Sequence, residues 1–158
     1  MQAFYQIALV THIIGLSTMA GTTLAAYILT KQFWVQYASD KSKAIAIHEA
    51  GSKFPTLFAV GILLLIFSGV AMMAITRGGF GEQLWFRIKF GLIITVIING
   101  LAVGRRQGSR LTKILSEEVP ETNIKGKLLG IKRNIRWFYI SQMIFFLIIF
   151  TLSVFKFN

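Results

Sequence analysis

Two ionisable side chains, His12 and Lys89, lie within apolar stretches of this sequence and could carry its chemistry. Titratable groups inside a bilayer are costly, so each one is a functional hypothesis by default. A neutral imidazole is a natural axial ligand for a haem iron, and a nearby lysine or arginine suits a porphyrin propionate. Arg87 lies two residues before Lys89, and two neighbouring cations without an acidic partner need an anion. The residues therefore indicate a site for an anionic cofactor such as a haem, with His12 as the metal ligand and with Lys89 and Arg87 as cofactor-binding residues.

Simpler roles remain open for the same three residues. A histidine in a membrane helix can hydrogen-bond a neighbouring hydroxyl or backbone carbonyl without any metal. Lys89 and Arg87 lie within two turns of the predicted end of their helix, so both side chains could extend to the lipid headgroups. In that case His12 is a packing residue and no cofactor is needed.

Other potential ligands are placed less favourably. His48 lies next to Glu49 in a polar segment, at the opposite side of the predicted membrane from His12 and about 25 Å or more away. It is interpreted as a headgroup or solvated histidine, with a second ligand site as the alternative. Met72 and Met73 could offer a thioether to haem iron or Cu(I), although packing is the expected role.

The elements that must position these residues are four apolar stretches. Residues 1–30, 54–76 and 137–155 contain no Lys, Arg, Asp or Glu, and a fourth stretch begins with Arg87 and Lys89 near its start. Each is close to or above the ~20 residues that a spanning helix needs. We predict an all-α integral membrane four-helix bundle, a single transmembrane domain over residues 1–158. The expected spans are about 4–30, 54–76, 84–104 and 137–155. Continuous Leu, Ile and Phe runs exclude the alternating strands of a membrane β-barrel.

The net charge of +11 is distributed unevenly along the chain. Loops 31–53 and 105–136 carry 13 of the 17 Lys and Arg residues, and the remaining 4 lie on the other side of the predicted bundle. The positive-inside rule then places both loops in the cytoplasm and both termini outside the cell. The basic excess is explained by topology and by contact with anionic lipid, so nucleic-acid binding is not expected.

The loops and helix faces carry weaker signals. Loop 105–136 is expected to form two amphipathic helices, one ending at Pro120 and a basic one lying on the inner leaflet before Trp137. The Gly100–Gly104 pattern and the small residues of the first span predict close helix packing, and a homodimer is a further hypothesis. Interhelical hydrogen bonds are expected from three polar residues: Asn99, Ser141 and Gln142.

The chain contains no cysteine. This excludes disulfides, thiolate metal sites and covalent haem attachment through a CxxCH motif. A haem bound here would be held without a covalent bond.

Two short motifs resemble a known family. Thr11-His12-Ile13-Ile14-Gly15, followed by Ala20-Gly21, is similar to the first-helix pattern of HemJ-type protoporphyrinogen oxidases. Trp85-Phe86-Arg87-Ile88-Lys89 resembles that family's Trp-x-x-x-Lys at the start of the third helix. These are small bacterial membrane helix bundles, and CopD-like integral membrane proteins look related to them. The order of spans and loops agrees over most of the chain.

The resemblance implies a multi-pass haem b protein of the bacterial cytoplasmic (inner) membrane, which oxidises protoporphyrinogen IX in porphyrin biosynthesis. The family's essential first-helix His and third-helix Lys would fall on His12 and Lys89, which makes Lys89 the candidate catalytic residue. Two positions depart from the pattern. The arginine usual late in the first helix is replaced by Ala25-Ala26-Tyr27, and Asn99 lies where a further histidine is often found. Haem ligation would then fall to His12 alone.

Three functional hypotheses follow. The leading one is a haem b-binding membrane oxidoreductase with a tetrapyrrole substrate and with a quinone or redox protein as electron acceptor. The second is a non-enzymatic small transporter or copper-handling protein, favoured by Met72 and Met73 near His12. The third is a partner subunit without a cofactor, in which His12 and Lys89 face headgroups or neighbouring helices. Membrane lipid is an expected partner in all three.

Overall fold

The computed structural model describes residues 1–79, 81–116 and 124–155. Four of its helical stretches are long and apolar enough to cross a membrane. They extend over Gln2–Tyr37, Lys41–Ile75, Leu84–Leu115 and Gly126–Val154. No strand occurs in these described parts of the chain. The predicted all-α bundle of four membrane helices is therefore confirmed, while the side on which each end lies stays a prediction.

Six α-helices and two short helical segments make up these stretches. The α-helices are α1 (Gln2–Tyr37), α2 (Lys41–Ala50), α3 (Phe54–Ile75), α4 (Leu84–Asn99), α5 (Arg106–Ser116) and α6 (Ile124–Val154). A 3₁₀ turn, Gly51–Lys53, joins α2 to α3, and a π-helical segment, Gly100–Arg105, joins α4 to α5.

Local sequence explains where two of the helices begin and end. Asp40 caps α2, because its carboxylate accepts a hydrogen bond from the Lys43 backbone N–H at 3.1 Å. Pro55 falls in the first turn of α3, where its missing N–H removes no helical hydrogen bond. After α3 the chain turns through Arg77 and Gly78, whose φ angles are 51° and 80°. Glycine adopts this left-handed region without strain, so Gly78 suits the turn.

A first hydrophobic core joins the four membrane helices. Its buried members come from α1, α3, α4 and α6: Leu16, Met19, Leu65, Ile93, Val96, Phe146 and Ile149. Met19, Val96 and Ile149 have no exposed surface. Because lipid tails are as apolar as these side chains, close van der Waals packing holds such a core together.

Helices α1 and α3 approach each other through two glycines. A Cβ atom built on Gly15 would lie 2.9 Å from the Leu65 backbone nitrogen and 3.0 Å from the Gly61 carbonyl oxygen. A Cβ atom built on Gly61 would lie 2.6 Å from Met19 Cγ. The absence of a side chain at both positions is what allows this contact. The predicted close packing of the first span therefore has a definite partner, α3.

A second hydrophobic core lies at the end of the bundle that carries most of the basic residues. Its buried side chains come from the end of α1, from α2, from α5 and from the first half of α6: Phe33, Ala44, Leu111, Leu128, Ile131 and Ile135. We call this group the basic-end core. Four of its members fall within the segment expected to be loop 105–136: Leu111, Leu128, Ile131 and Ile135.

The structure differs from the expectation of separate helices lying on the inner leaflet. Residues 124–136 and the apolar stretch from Trp137 form one helix, α6, of 31 residues. At 1.5 Å per residue it is about 46 Å long, which exceeds a ~30 Å hydrocarbon layer. No proline or capping residue separates the two parts, so the helical hydrogen bonds continue and the basic half packs in the basic-end core. The expected helix end at Pro120 lies outside the described residues.

The Gly100–Gly104 pattern coincides with the π-helical segment. A Cβ atom on Gly104 would lie 2.8 Å from Phe138 Cζ, so this glycine gives room to an aromatic ring of α6. A Cβ atom on Gly100 would lie 3.6 Å from Phe58 Cε1 and 3.8 Å from Gln142 Nε2, ordinary contact distances. The predicted close crossing is present and involves α6.

Candidate functional site

His12 is held against α3 by a hydrogen bond. Its Nδ1 atom lies 3.0 Å from the Ser68 hydroxyl oxygen, and the imidazole is partly buried between the two helices. Gly69 lies beside the ring, because a Cβ atom there would be 3.6 Å from His12 Cε1. The glycine contact at Gly15 and Gly61 fixes the same pair of helices about one to two turns away.

The hydrogen bonds of Ser68 assign the protonation of the imidazole. The Ser68 hydroxyl lies 2.6 Å from the Leu64 carbonyl oxygen and 3.2 Å from that of Leu65, so its single hydrogen is donated to the backbone. Ser68 Oγ must then accept the hydrogen bond from His12 Nδ1–H. We therefore assign a proton to Nδ1, so in the neutral form of the imidazole Nε2 carries the lone pair. An imidazole oriented in this way is the usual form of a metal-ligating histidine.

Lys89 is held between α4 and α6. Its Nζ atom donates a hydrogen bond to Ser153 Oγ at 2.9 Å, and Ser153 donates to the Ile149 carbonyl at 2.7 Å. The side chain is partly buried. The two residues singled out from the sequence are therefore held in different helix pairs, His12 between α1 and α3 and Lys89 between α4 and α6.

Each of the four membrane helices contributes one polar side chain to these two hydrogen-bonded pairs. The four are His12 on α1, Ser68 on α3, Lys89 on α4 and Ser153 on α6, and we call them the polar cluster. Polar groups in a membrane bundle seek one another because lipid offers no hydrogen-bond partner. One pair holds an imidazole and the other holds a lysine ammonium group, the two side-chain types that a haem iron and a propionate would use.

Arg87 is placed differently. Its Nε atom donates a hydrogen bond to the Gly81 carbonyl at 2.9 Å, and its side chain is exposed. The arginine thus secures the turn before α4, in agreement with the simpler alternative that it extends toward the headgroups. Its assignment as a cofactor-binding residue stays a prediction without support from this geometry.

An apolar groove lies between α1 and α3, and Ser68, the hydrogen-bond partner of His12, is one of its lining residues. Its volume is about 310 Å³. The lining residues are Phe4, Ile7, Ala8, Thr11, Ser68, Ala71 and Ile75. The groove offers an apolar surface of the kind that a porphyrin ring requires, and His12 is not among its lining residues.

Met72 and Met73 are the candidate thioether ligands. Met72 and Met73 are both partly buried on the last turns of α3. Met73 Cε lies toward the turn, since a Cβ atom on Gly81 would be 3.7 Å from it. A second axial ligand or a copper site at these methionines stays a prediction.

His48 belongs to the basic-end core. Its Nε2 atom lies 3.0 Å from Thr112 Oγ1, and its ring centroid is 5.9 Å from that of Phe33. Thr112 donates its hydroxyl hydrogen to the Gly108 carbonyl at 3.1 Å, so His48 Nε2–H is the donor in the first contact. The residue links α2 to α5 and contributes nothing to the polar cluster.

The sequence reasoning did not identify Ser68 and Ser153 as members of the site. A usable signal existed for Ser68, which lies seven residues after Gly61 and hence on the same face of α3. The expected hydrogen bonds near the other end are confirmed. Asn99 Nδ2 donates to Ser141 Oγ at 3.2 Å, and Gln142 Nε2 donates to the Val96 carbonyl at 3.0 Å.

A multi-ligand metal centre is not found in the described ranges: no three or more His, Cys, Asp or Glu residues lie together there. A haem with a single histidine ligand does not need such a group. Comparison of the chain with family models, with curated proteins and with solved structures finds no match.

Proposed function

We propose that this chain is a multi-pass protein of the bacterial cytoplasmic membrane that binds haem b through His12. The observation that carries the proposal is the hydrogen bond between His12 and Ser68, which leaves Nε2 as the ligating nitrogen. A hydrogen bond to the second ring nitrogen is the usual support of a metal-bound histidine. The apolar groove that Ser68 lines would give the macrocycle an apolar wall.

Lys89 is proposed to bind a carboxylate of a tetrapyrrole. The support is its hydrogen bond to Ser153, which holds the ammonium group between α4 and α6. A lysine is a compact point charge that pairs well with a propionate. The hydroxyl of Ser153 positions the ammonium group from the neighbouring helix.

The proposed activity is the oxidation of protoporphyrinogen IX, with electrons passing to a quinone or a redox protein. The basis for this choice of substrate is the resemblance of the two short motifs. When bound, haem supplies one-electron redox chemistry. The chain itself orients the imidazole through Ser68, holds an anionic group through Lys89 and excludes water by its apolar walls.

An absorption spectrum of the purified protein in detergent tests the proposal, recorded oxidised and after dithionite reduction, with haemin added where the protein is colourless. His48→Ala is the matched control for His12→Ala, because it removes the other histidine of the chain at the far end of the bundle. We expect a Soret band and a reduced α-band in the wild type and in His48→Ala, and neither band in His12→Ala. Ser68→Ala should weaken haem affinity by about tenfold or more.

Loss of haem from both histidine variants, or its retention in both, would contradict the assignment of His12. Failure of the wild-type protein to bind added haemin would rule out haem binding and would favour the transporter or partner-subunit alternatives. Turnover of protoporphyrinogen IX is measured next. Lys89→Met is expected to lose turnover and to retain the Soret band, because the lysine is proposed to bind substrate or propionate and not the iron.

A further inference from the structure

A basic concave strip lies along the first half of α6, far from the polar cluster. Its volume is about 760 Å³. The residues that matter for the argument are Gly126, Gly130, Lys132, Arg133, Arg136 and Trp137. We call this surface the basic strip. It lies on the same half of α6 as three members of the basic-end core, Leu128, Ile131 and Ile135, and its three cations are exposed.

The three cations of the basic strip have no carboxylate partner among the described residues. The ion pair found among the described residues joins Lys43 to Asp40, at 3.3 Å, outside the strip. Arg133 and Arg136 are exposed and lie one turn apart on the helix. Three neighbouring positive charges repel one another, so an anion at this position would relieve the repulsion.

The strip is shaped before any ligand arrives. Lys132 is held with its Nζ atom 5.6 Å from the centroid of the Trp34 ring, and Trp34 packs against the basic-end core. Such a cation–π contact restrains a long side chain that would otherwise be mobile. Gly126 and Gly130 have no atom within 4 Å of a built Cβ, so the surface beside the cations is open.

The depth of the strip identifies its occupant. Trp137 begins the apolar stretch 137–155 and is 65% exposed, which is typical of an indole at the membrane interface. Arg136 and Arg133 come immediately before it, at the level where headgroup phosphates lie. We propose that the basic strip binds the phosphate of an anionic phospholipid, whose acyl chains follow the exposed apolar side of α6 below Trp137.

Native mass spectrometry of the full chain in detergent tests this site. The protein is titrated with an equimolar mixture of phosphatidylglycerol and phosphatidylcholine, and the ratio of the two bound lipids is measured. The test variant replaces the three cations of the strip: Lys132→Gln, Arg133→Gln and Arg136→Gln. The matched control removes three exposed cations from the same end of the chain outside the strip: Lys41→Gln, Lys53→Gln and Arg110→Gln.

We expect the preference for phosphatidylglycerol to fall on the order of tenfold in the test variant and to change little in the control. An equal fall in both variants would show that the lipid responds to diffuse charge and would overturn the proposal. An unchanged preference in both would overturn it as well. Binding of an acidic peptide in place of lipid, with no lipid preference, would assign the strip to a protein partner and would likewise refute it.

A second variant keeps the charges and fills the space. Gly130→Leu places a side chain on the open surface of the strip, and Gly21→Leu adds the same side chain on an exposed part of α1. We expect a weaker phosphatidylglycerol preference in Gly130→Leu alone. An unchanged preference in Gly130→Leu would show that the concave shape has no role and that the proposed site is wrong. A helical circular dichroism spectrum confirms that each variant is folded.

Discussion

Replacing Gly15 with alanine should separate α1 from α3. The added Cβ atom would lie 2.9 Å from the Leu65 backbone nitrogen and 3.0 Å from the Gly61 carbonyl oxygen. Both are backbone atoms of a packed helix, so neither can turn aside as a side chain could. The helices must move apart by several tenths of an ångström, and Leu16 and Met19 of the first core lose contact as they do.

The expected magnitude is a balance of two terms. Overpacking a well-packed contact costs about 1–3 kcal/mol, and backbone neighbours place Gly15→Ala in the upper part of that range. Replacing a helical glycine with alanine returns about 1 kcal/mol of helix propensity. A net loss of about 1–2 kcal/mol in the free energy of unfolding is therefore expected. Gly21→Ala, with no atom within 4 Å of the new Cβ, should gain up to about 1 kcal/mol.

Reversible unfolding in mixed detergent micelles, followed by circular dichroism, measures the two free energies. The reasoning predicts a gap of about 2–3 kcal/mol between Gly15→Ala and Gly21→Ala. If Gly15→Ala proves as stable as Gly21→Ala, the close approach of α1 and α3 is incorrect. The geometry derived for His12 and Ser68 would then lose its foundation, because the same two helices position that pair.

Two further predictions concern other parts of the bundle. Gln142 is fully buried, and its Oε1 atom has no hydrogen-bond partner among the described residues. We therefore expect Gln142→Leu to change the free energy of unfolding by less than about 1 kcal/mol, and Gln142→Ala to lower it by about 1–3 kcal/mol because it leaves a cavity. The detergent unfolding assay compares the two variants, and a less stable Gln142→Leu would contradict this reasoning. Single cysteines introduced into this cysteine-free chain test the topology through their reaction with an impermeant maleimide added outside intact cells. We expect Ser52→Cys to be shielded from the reagent and Gly79→Cys to react with it. The reverse pattern would show that the proposed orientation is inverted.

The sequence was sufficient to predict the membrane helices, because a long uncharged stretch has few other stable structures in lipid. Residues 54–76 were expected as a span, and α3 covers Phe54–Ile75. Charge placement predicted less well at the basic end. Lys127, Lys132 and Arg133 were interpreted as the marks of a helix on the leaflet surface. The apolar residues between them, Leu128 and Ile131, pack in the basic-end core.

The sequence was sufficient to predict the two ionisable members of the candidate site but not its two serines. His12 and Lys89 stand out because ionisable residues are rare in apolar stretches. Ser68 and Ser153 do not stand out, since serines commonly bond to their own helix, as both also do here. Their second role depends on which helices are neighbours, and the neighbours are set by packing at positions such as Gly15 and Gly61.

The two hydrophobic cores of the protein are stabilised by different forces. In the first core the helices are surrounded by lipid, so withdrawal from water contributes little there. The basic-end core lies beside charged residues at the aqueous boundary, where burial from water supplies the driving force. Urea should therefore loosen the basic end first and a denaturing detergent the membrane part first. Cooling should weaken the basic end selectively, since the hydrophobic effect declines with falling temperature. The part of the molecule that unfolds first therefore depends on whether the aqueous or the lipid-like solvent is perturbed.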